Sequence, residues 1–331
     1  MWRHVSKVVF WAACLAICRQ ASAEVIGNPD ALGNIDGLGI GGWNNVGQMN
    51  GASGVYIGNG WVLTVAHELT PQGILFDFSP TPYLPDSTPI YYLTNPDGSY
   101  ADLQLFHLQS TPPLPNLKIA YSSPGVGALT TSIGYGLTNV GGVQYYDSSF
   151  NTVAADDPTV AYGGYGEGNQ YIKRWATNYT LPVDSQGDYN ASGSALAPIS
   201  GVYANDTSED FFAQFYTGIS GVNSYDAGGN GSSEGQIAGG DSGGAVFDSS
   251  GYLIGINEAE GLYPGQDPSK ELALFGNMSA YVDVPYYRDQ IVADAGLPEP
   301  CGISLVAICA GWGPTRRRRA VFASSGRAHS R

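Results

Sequence analysis

"GGDSGG", residues 239–244, spends four glycines, one acid and one serine on six consecutive positions. Its setting decides the fold: on a strand-to-helix elbow the serine makes the chain α/β, and in a loop between strands it makes the chain all-β. The hexapeptide is followed by the apolar run Ala245-Val246-Phe247, the turn Asp248-Ser249-Ser250-Gly251 and a second run from Tyr252 to Ile256. That is a hairpin pattern. Further out, Ser53-Gly54-Val55-Tyr56-Ile57-Gly58 and Trp61 to Ala66 flank Asn59-Gly60, a strong short-range hairpin signal. Another strand runs from Leu103 to Leu108, and Pro112-Pro113-Leu114-Pro115 reads as a linker between two halves, the second starting near Ala128. From Val284 to Ala295 the chain reads as one helix, with Tyr287, Ile291 and Val292 on one face and Gly296 as its stop. The period is short and strand-like almost everywhere else, which predicts an all-β domain with long loops.

Both ends differ from the middle. Arg3, His4 and Lys7, an apolar run from Val8 to Cys18 and then Ala21-Ser22-Ala23 have the layout of a cleavable secretory signal, with Glu24 as the first mature residue. Ile17, before Cys18, is too large for a lipoprotein box. At the other end stand Pro298-Glu299-Pro300, a mostly apolar stretch from Cys301 to Trp312, and Arg316-Arg317-Arg318-Arg319. Of 14 Lys and Arg, three fall in the signal and six after Pro300; five then face all 29 acids, a formal charge of −24. Such a charge excludes nucleic acid and anionic membrane surfaces as partners of the mature part. Cys14, Cys18, Cys301 and Cys309 all lie in the two ends, so residues 24–297 must be held by their hydrophobic core alone.

Gly240-Asp241-Ser242-Gly243-Gly244 fits the G-x-S-x-G elbow of α/β-hydrolases, whose catalytic residues run Ser, acid, His. The only histidine after Ser242 is His329, in the tail; His67 and His107 both precede the serine. The opposite order, His, Asp, Ser, remains. A serine hydroxyl is a poor nucleophile at neutral pH and needs a general base, for which His67 and His107 are the histidines before it, oriented by a carboxylate. Asp86 and Asp97 are neighbouring acids, but only Asp102 begins an alternating apolar strand; His107, five residues along it, reads as structural.

Here a resemblance becomes specific. Trp61-Val62-Leu63-Thr64-Val65-Ala66-His67 resembles the strand ending in T-A-A-H of trypsin- and chymotrypsin-like serine proteases, Ala101-Asp102-Leu103-Gln104-Leu105 their D-I-A-L-L strand, and Gly240 to Gly244 their G-D-S-G-G. Ile133-Gly134-Tyr135-Gly136 is similar to the G-W-G of their second barrel. The resemblance implies two six-stranded antiparallel β-barrels, about 40–115 and about 128–283, with a final helix at 284–295. It also implies a serine endopeptidase acting through an acyl-enzyme, with catalytic His67, Asp102 and Ser242 and an oxyanion hole from the N–H groups of Gly240 and Ser242. No cofactor and no metal enters such chemistry, and the partner is a protein or peptide substrate met by a monomer. The tail, 298–331, resembles a PEP-CTERM sorting signal of bacterial secreted proteins, implying transient membrane association, an exosortase-like sorting enzyme and a secreted or envelope location. A rival reading is an inactive module of the same fold that binds a protein or polysaccharide at the envelope.

The pattern also departs from that family. Glu68 and Ala238 stand where cysteines are common. Gln236, six residues before the serine, occupies the base of the specificity pocket where trypsin has an aspartate, while Glu258 and Glu260 follow the strand that lines it. Asp241 matches the acid that pairs with a new N-terminal ammonium after zymogen cleavage, although Glu24-Val25-Ile26-Gly27 only loosely resembles I-V-G-G. Asp184, Asp188 and Asn190 are oxygen-bearing side chains near one another, but their spacing is not that of an EF-hand loop.

Overall fold

The computed structural model describes residues 25–26, 32–35, 37, 39–68, 71–181, 208–215 and 233–297. The signal, the tail and the group Asp184, Asp188 and Asn190 lie outside the described residues. The strands are β1 (Val25–Ile26), β2 (Val46–Gln48), β3 (Ser53–Gly58), β4 (Trp61–Thr64), β5 (Tyr91–Thr94), β6 (Tyr100–His107), β7 (Leu129–Gly134), β8 (Leu137–Tyr146), β9 (Thr152–Val153) and β10 (Tyr162–Tyr171). They continue as β11 (Arg174–Tyr179), β12 (Asp210–Gln214), β13 (Gly235–Gln236), β14 (Ala245–Asp248), β15 (Leu253–Gly261), β16 (Leu272–Leu274) and β17 (Met278–Asp283), before helix α1 (Val284–Ala295).

The first sheet has the order β2-β3-β4-β6-β5. Asn59 and Gly60, both at positive φ (49° and 86°), make the tight turn between β3 and β4, matching the right-handed twist of the strands they join. Single bridges close this sheet on itself: Pro85 pairs with Leu108 just past β6, Tyr83 with Ile74, and Leu75 with Gln48 on β2. The second sheet, β11-β7-β14-β15-β17-β12, closes in the same way where Thr180, just after β11, bridges Ala213 on β12. The expected double antiparallel β-barrel is thus formed, the second barrel from six strands and the first from five closed by the bridged segment 74–85, with one helix after it.

Side chains alternate between two buried faces. In the first barrel Tyr56, Val62 and Phe106 pack with Ile74 and Phe76. Their strand neighbours Val55, Ile57, Leu63 and Leu105 turn the other way and join Ile133, Phe247, Ile256 and Tyr287 of the second half. With period-2 geometry and apolar residues on both faces, each strand serves its own interior and the junction with the other barrel. A further four-stranded sheet, β16-β10-β8-β9, draws three of its strands from the Gly- and Tyr-rich stretch after Gly136. Ordinary strand signals are diluted there by glycines at 163, 164, 166 and 168.

Two groups of contacts tie the halves together. Lys173 is buried, and its Nζ donates to the carbonyl of Val46 at 2.7 Å and to Asp77 Oδ2 at 3.0 Å, beside the rings of Trp43 and Tyr135. The Tyr135 hydroxyl donates to the other Asp77 oxygen. Helix α1 ends at Gly296 (φ 56°), whose N–H returns to Val292. It lies on the first barrel: Gln290 Nε2 donates to the Thr94 carbonyl at 2.7 Å, Tyr287 hydroxyl to Asn95 Oδ1 at 2.6 Å, and Asn59 Nδ2 to the Gly296 carbonyl at 2.7 Å.

Candidate active site

Strand β4 delivers His67 and strand β6 delivers Asp102. The two chains stay in register just past β4, where the Ala66 N–H reaches the Asp102 carbonyl at 3.2 Å. Asp102 then holds His67 twice, accepting from its backbone N–H at Oδ1 (2.7 Å) and meeting its ring Nδ1 at Oδ2 (2.5 Å). Both side chains are mostly buried, 18% and 11% exposed, so bulk water screens the pair little. The other two acids are engaged elsewhere: Asp86 with His107 at 2.6 Å, and Asp97 in a turn with Ser99. An imidazole whose Nδ1 is held by a carboxylate offers Nε2 as proton acceptor. Glu68 Oε1 lies 3.8 Å from that Nε2, and burial, with Asp102 adding to it, pushes the Glu68 carboxyl up against the opposing pull of His67.

The Ser242 loop is pressed against the same barrel. Ser53, first residue of β3, donates its N–H to the Ser242 carbonyl at 2.8 Å and its hydroxyl to the Gly240 carbonyl at 3.0 Å. Its carbonyl accepts from Thr64 Oγ1 at 2.9 Å, three residues before His67. Gly243 has φ 83°, and a Cβ there would stand 2.1 Å from Thr64 Oγ1; no other residue type fits. Within the turn, the N–H groups of Asp241, Gly243 and Gly244 go to the carbonyls of Ala238, Asn257 and Asp241, and that of Gly239 to the Glu167 carboxyl. Among the described residues, no backbone carbonyl accepts the N–H of Gly240 or Ser242. The Ser242 hydroxyl donates to the Glu258 carbonyl at 3.3 Å.

Several acids are enclosed around the serine loop. Asp241 is fully buried, its two oxygens accepting from Gly136 N–H at 2.6 Å and Ala238 N–H at 2.8 Å. A Cβ on Gly134 or Gly136 would run into that carboxyl, which accounts for the Gly-Tyr-Gly spacing. Burial pushes Asp241 up to about 8, with the two N–H donors and Arg174 pulling against it and Glu167 adding to it. Glu167 rises to about 7 through burial and the proximity of Glu271. Glu260 keeps some exposed surface, yet its carboxyl is enclosed and held well above the usual range by burial and by Glu167, Asp241 and Glu271. Gln236 and Glu258 are buried as well. Short strand β1 pairs with β13, Val25 opposite Gln236, beside this loop. Among the described residues no three His, Cys, Asp or Glu converge as metal ligands.

Sequence reasoning missed Ser53 and Ser208, the latter accepting from Asp102 N–H at 2.7 Å. A lone serine at a strand end carries no local signal of a partner 106 or more residues away.

No protein-family model matches the chain, and no curated protein does. Among solved structures, neuropsin, a serine protease expressed in the limbic system of mouse brain, is similar with a TM-score of 0.43 and 19% identity, over 76% of this chain and 94% of its own. A likeness that loose says nothing of individual residues.

Proposed function

We propose that the chain is a serine endopeptidase of the trypsin-like kind. One observation carries the reading: Asp102 holds His67 just past β4, and the Ser242 loop is hydrogen-bonded to Ser53 at the start of β3, on the same hairpin. In this reading the Ser242 hydroxyl passes its hydrogen bond from the Glu258 carbonyl to His67 Nε2 and attacks the scissile carbonyl. His67 takes the proton and returns it to the leaving amine, while Asp102 holds the ring and stabilises the imidazolium. The Gly240 and Ser242 N–H groups receive the oxyanion, where loss of one such donor costs about 10² to 10³ in rate. Water then releases the acyl group from Ser242.

A fluorophosphonate probe tests this. We expect one probe per chain, on Ser242, and none on Ser242→Ala. A folded wild-type protein that never labels would make the chain a binding module of the same architecture.

Export belongs to the same proposal: secretion through a bacterial envelope by the signal at 1–23, with temporary retention by the tail at 298–331. Intact mass of the released protein should then give ends near Glu24 and Pro298. Released protein that still carries Arg316 to Arg319 would sink the sorting reading.

A further inference from the structure

Glu68 brings a second carboxylate to His67. Its Oε1 lies 3.8 Å from the ring Nε2, while Asp102 Oδ2 meets Nδ1 at 2.5 Å, so the imidazole has an acid beside each nitrogen. The backbone fixes this arrangement. Strand β4 ends at Thr64, and the buried amide of Gln104, opposite Thr64 on β6, closes the turn that follows. Its Nε2 donates to the Val65 carbonyl at 2.8 Å and to the Glu68 carbonyl at 3.1 Å. Successive side chains on a strand point to opposite faces. In this turn two successive side chains, His67 and Glu68, meet instead.

At 3.8 Å the Glu68 carboxyl is beyond hydrogen-bond distance, which leaves Nε2 able to take a proton from another group. What acts between the two is charge. The Glu68 side chain is 28% exposed, so water screens it only in part. Burial pushes its carboxyl up, His67 pulls it down and Asp102 adds to the rise. Among the described residues, the charged groups that face it are thus His67 and Asp102, and those that face the ring are Asp102 from β6 and Glu68 from its own turn. The attraction is mutual, so an ionised Glu68 favours the charged ring. In the proposed reaction the ring is cationic between taking the Ser242 proton and giving it to the leaving amine, and a carboxylate beside Nε2 stabilises that interval. The same preference acts in the free protein, where a ring already protonated is no base; with Glu68 ionised, reactivity therefore sets in at higher pH.

Resting on the protease reading, we infer that Glu68 is a positioning residue for His67, a second carboxylate at the ring's other nitrogen that steadies the imidazolium while it carries the Ser242 proton.

The test follows the rate of fluorophosphonate labelling of Ser242 against pH, which reports the protonation of the base. In Glu68→Gln the pH of half-maximal rate should fall by about 0.5–1 pH unit, the size expected of one partly screened charge at this distance. Glu68→Asp, which keeps the charge, should stay near the wild type, as a packing role would not require. Glu68→Ala serves if Glu68→Gln does not fold, with the same fall expected. A second readout needs no catalysis: in the Ser242→Ala protein the His67 ring resonance, assigned by its loss in His67→Ala, is followed by NMR against pH with and without Glu68→Gln, and its midpoint should fall alike. Labelling with midpoints that stay in place or rise overturns the inference and leaves the hydrolase, as does a Glu68→Asp variant that behaves like Glu68→Gln. A falling ring midpoint in a protein that never labels removes the hydrolase and leaves Glu68 as a charge partner of His67.

Discussion

Ser53 holds more of the site together than any residue the motifs point to. Through its N–H, hydroxyl and carbonyl it touches Ser242, Gly240, Tyr135 and Thr64, joining the loop of one barrel to the strand that carries His67 in the other. Gly243 lies in the same joint, and replacing it tests how tight the joint is. In Gly243→Ala the new methyl meets Thr64 Oγ1 at 2.1 Å and the Ser53 carbonyl at 2.2 Å while the backbone stays at φ 83°. Strain and overpacking together should cost about 2–5 kcal/mol, read from urea unfolding. Gly251→Ala is the control: its φ is 78°, but nothing lies within 4 Å of the added carbon, so only about 1 kcal/mol of backbone strain is expected. Equal losses in the two variants would mean that the loop does not press on β3 and β4. The glycines of this hexapeptide were legible because each solves a local problem of φ or close approach. Ser53 was not, because its partners are distant in sequence.

At the scale of elements, the turn before β11 is pinned by a buried cation. Burial lowers Lys173 from an ordinary 10.5 to about 8, against the pull of Asp77, so the folded chain gives up this proton more readily than the unfolded one. The cost of enclosing the cation is therefore complete below pH 8 and is relieved as pH rises from about 8 toward 10.5. Asp77 offsets part of that cost only while Lys173 is charged. Asp77→Ala should thus destabilise the protein more at pH 7 than at pH 10. About 1–3 kcal/mol is expected at pH 7, below the usual figure for breaking a buried pair because the Asp77 side chain is 46% exposed. Urea midpoints at the two pH values check this, and an equal loss at both would assign the role of Asp77 to Tyr135 alone. The strands around the pair were readable from alternation. The pair itself was not, since a lysine in a Tyr- and Asn-rich stretch looks like a solvated residue until the first barrel closes over it.

For the whole molecule, the barrels and the terminal helix were legible because apolar alternation, an Asn-Gly turn and a helix stop are local signals. The four-stranded sheet was not, because its glycines mimic loops and one pairing, Gly164 with Leu274, joins segments far apart in the sequence. The enclosed acids around the serine loop were visible one at a time but not as a group, since Glu167, Asp241 and Glu260 come from three separate segments. Helix α1 adds a matter of timing. The Asn59 side chain, at the first hairpin turn, is completed by the Gly296 carbonyl, 237 residues later. At a synthesis rate of about 5–20 residues per second, that turn waits roughly ten to fifty seconds for its partner. Thr94 and Asn95 wait almost as long for Gln290 and Tyr287. The half of the chain made first therefore leaves the ribosome unclasped; a chain interrupted between residues 115 and 284 carries every strand of the first sheet but not the helix that Asn59, Thr94 and Asn95 bond to.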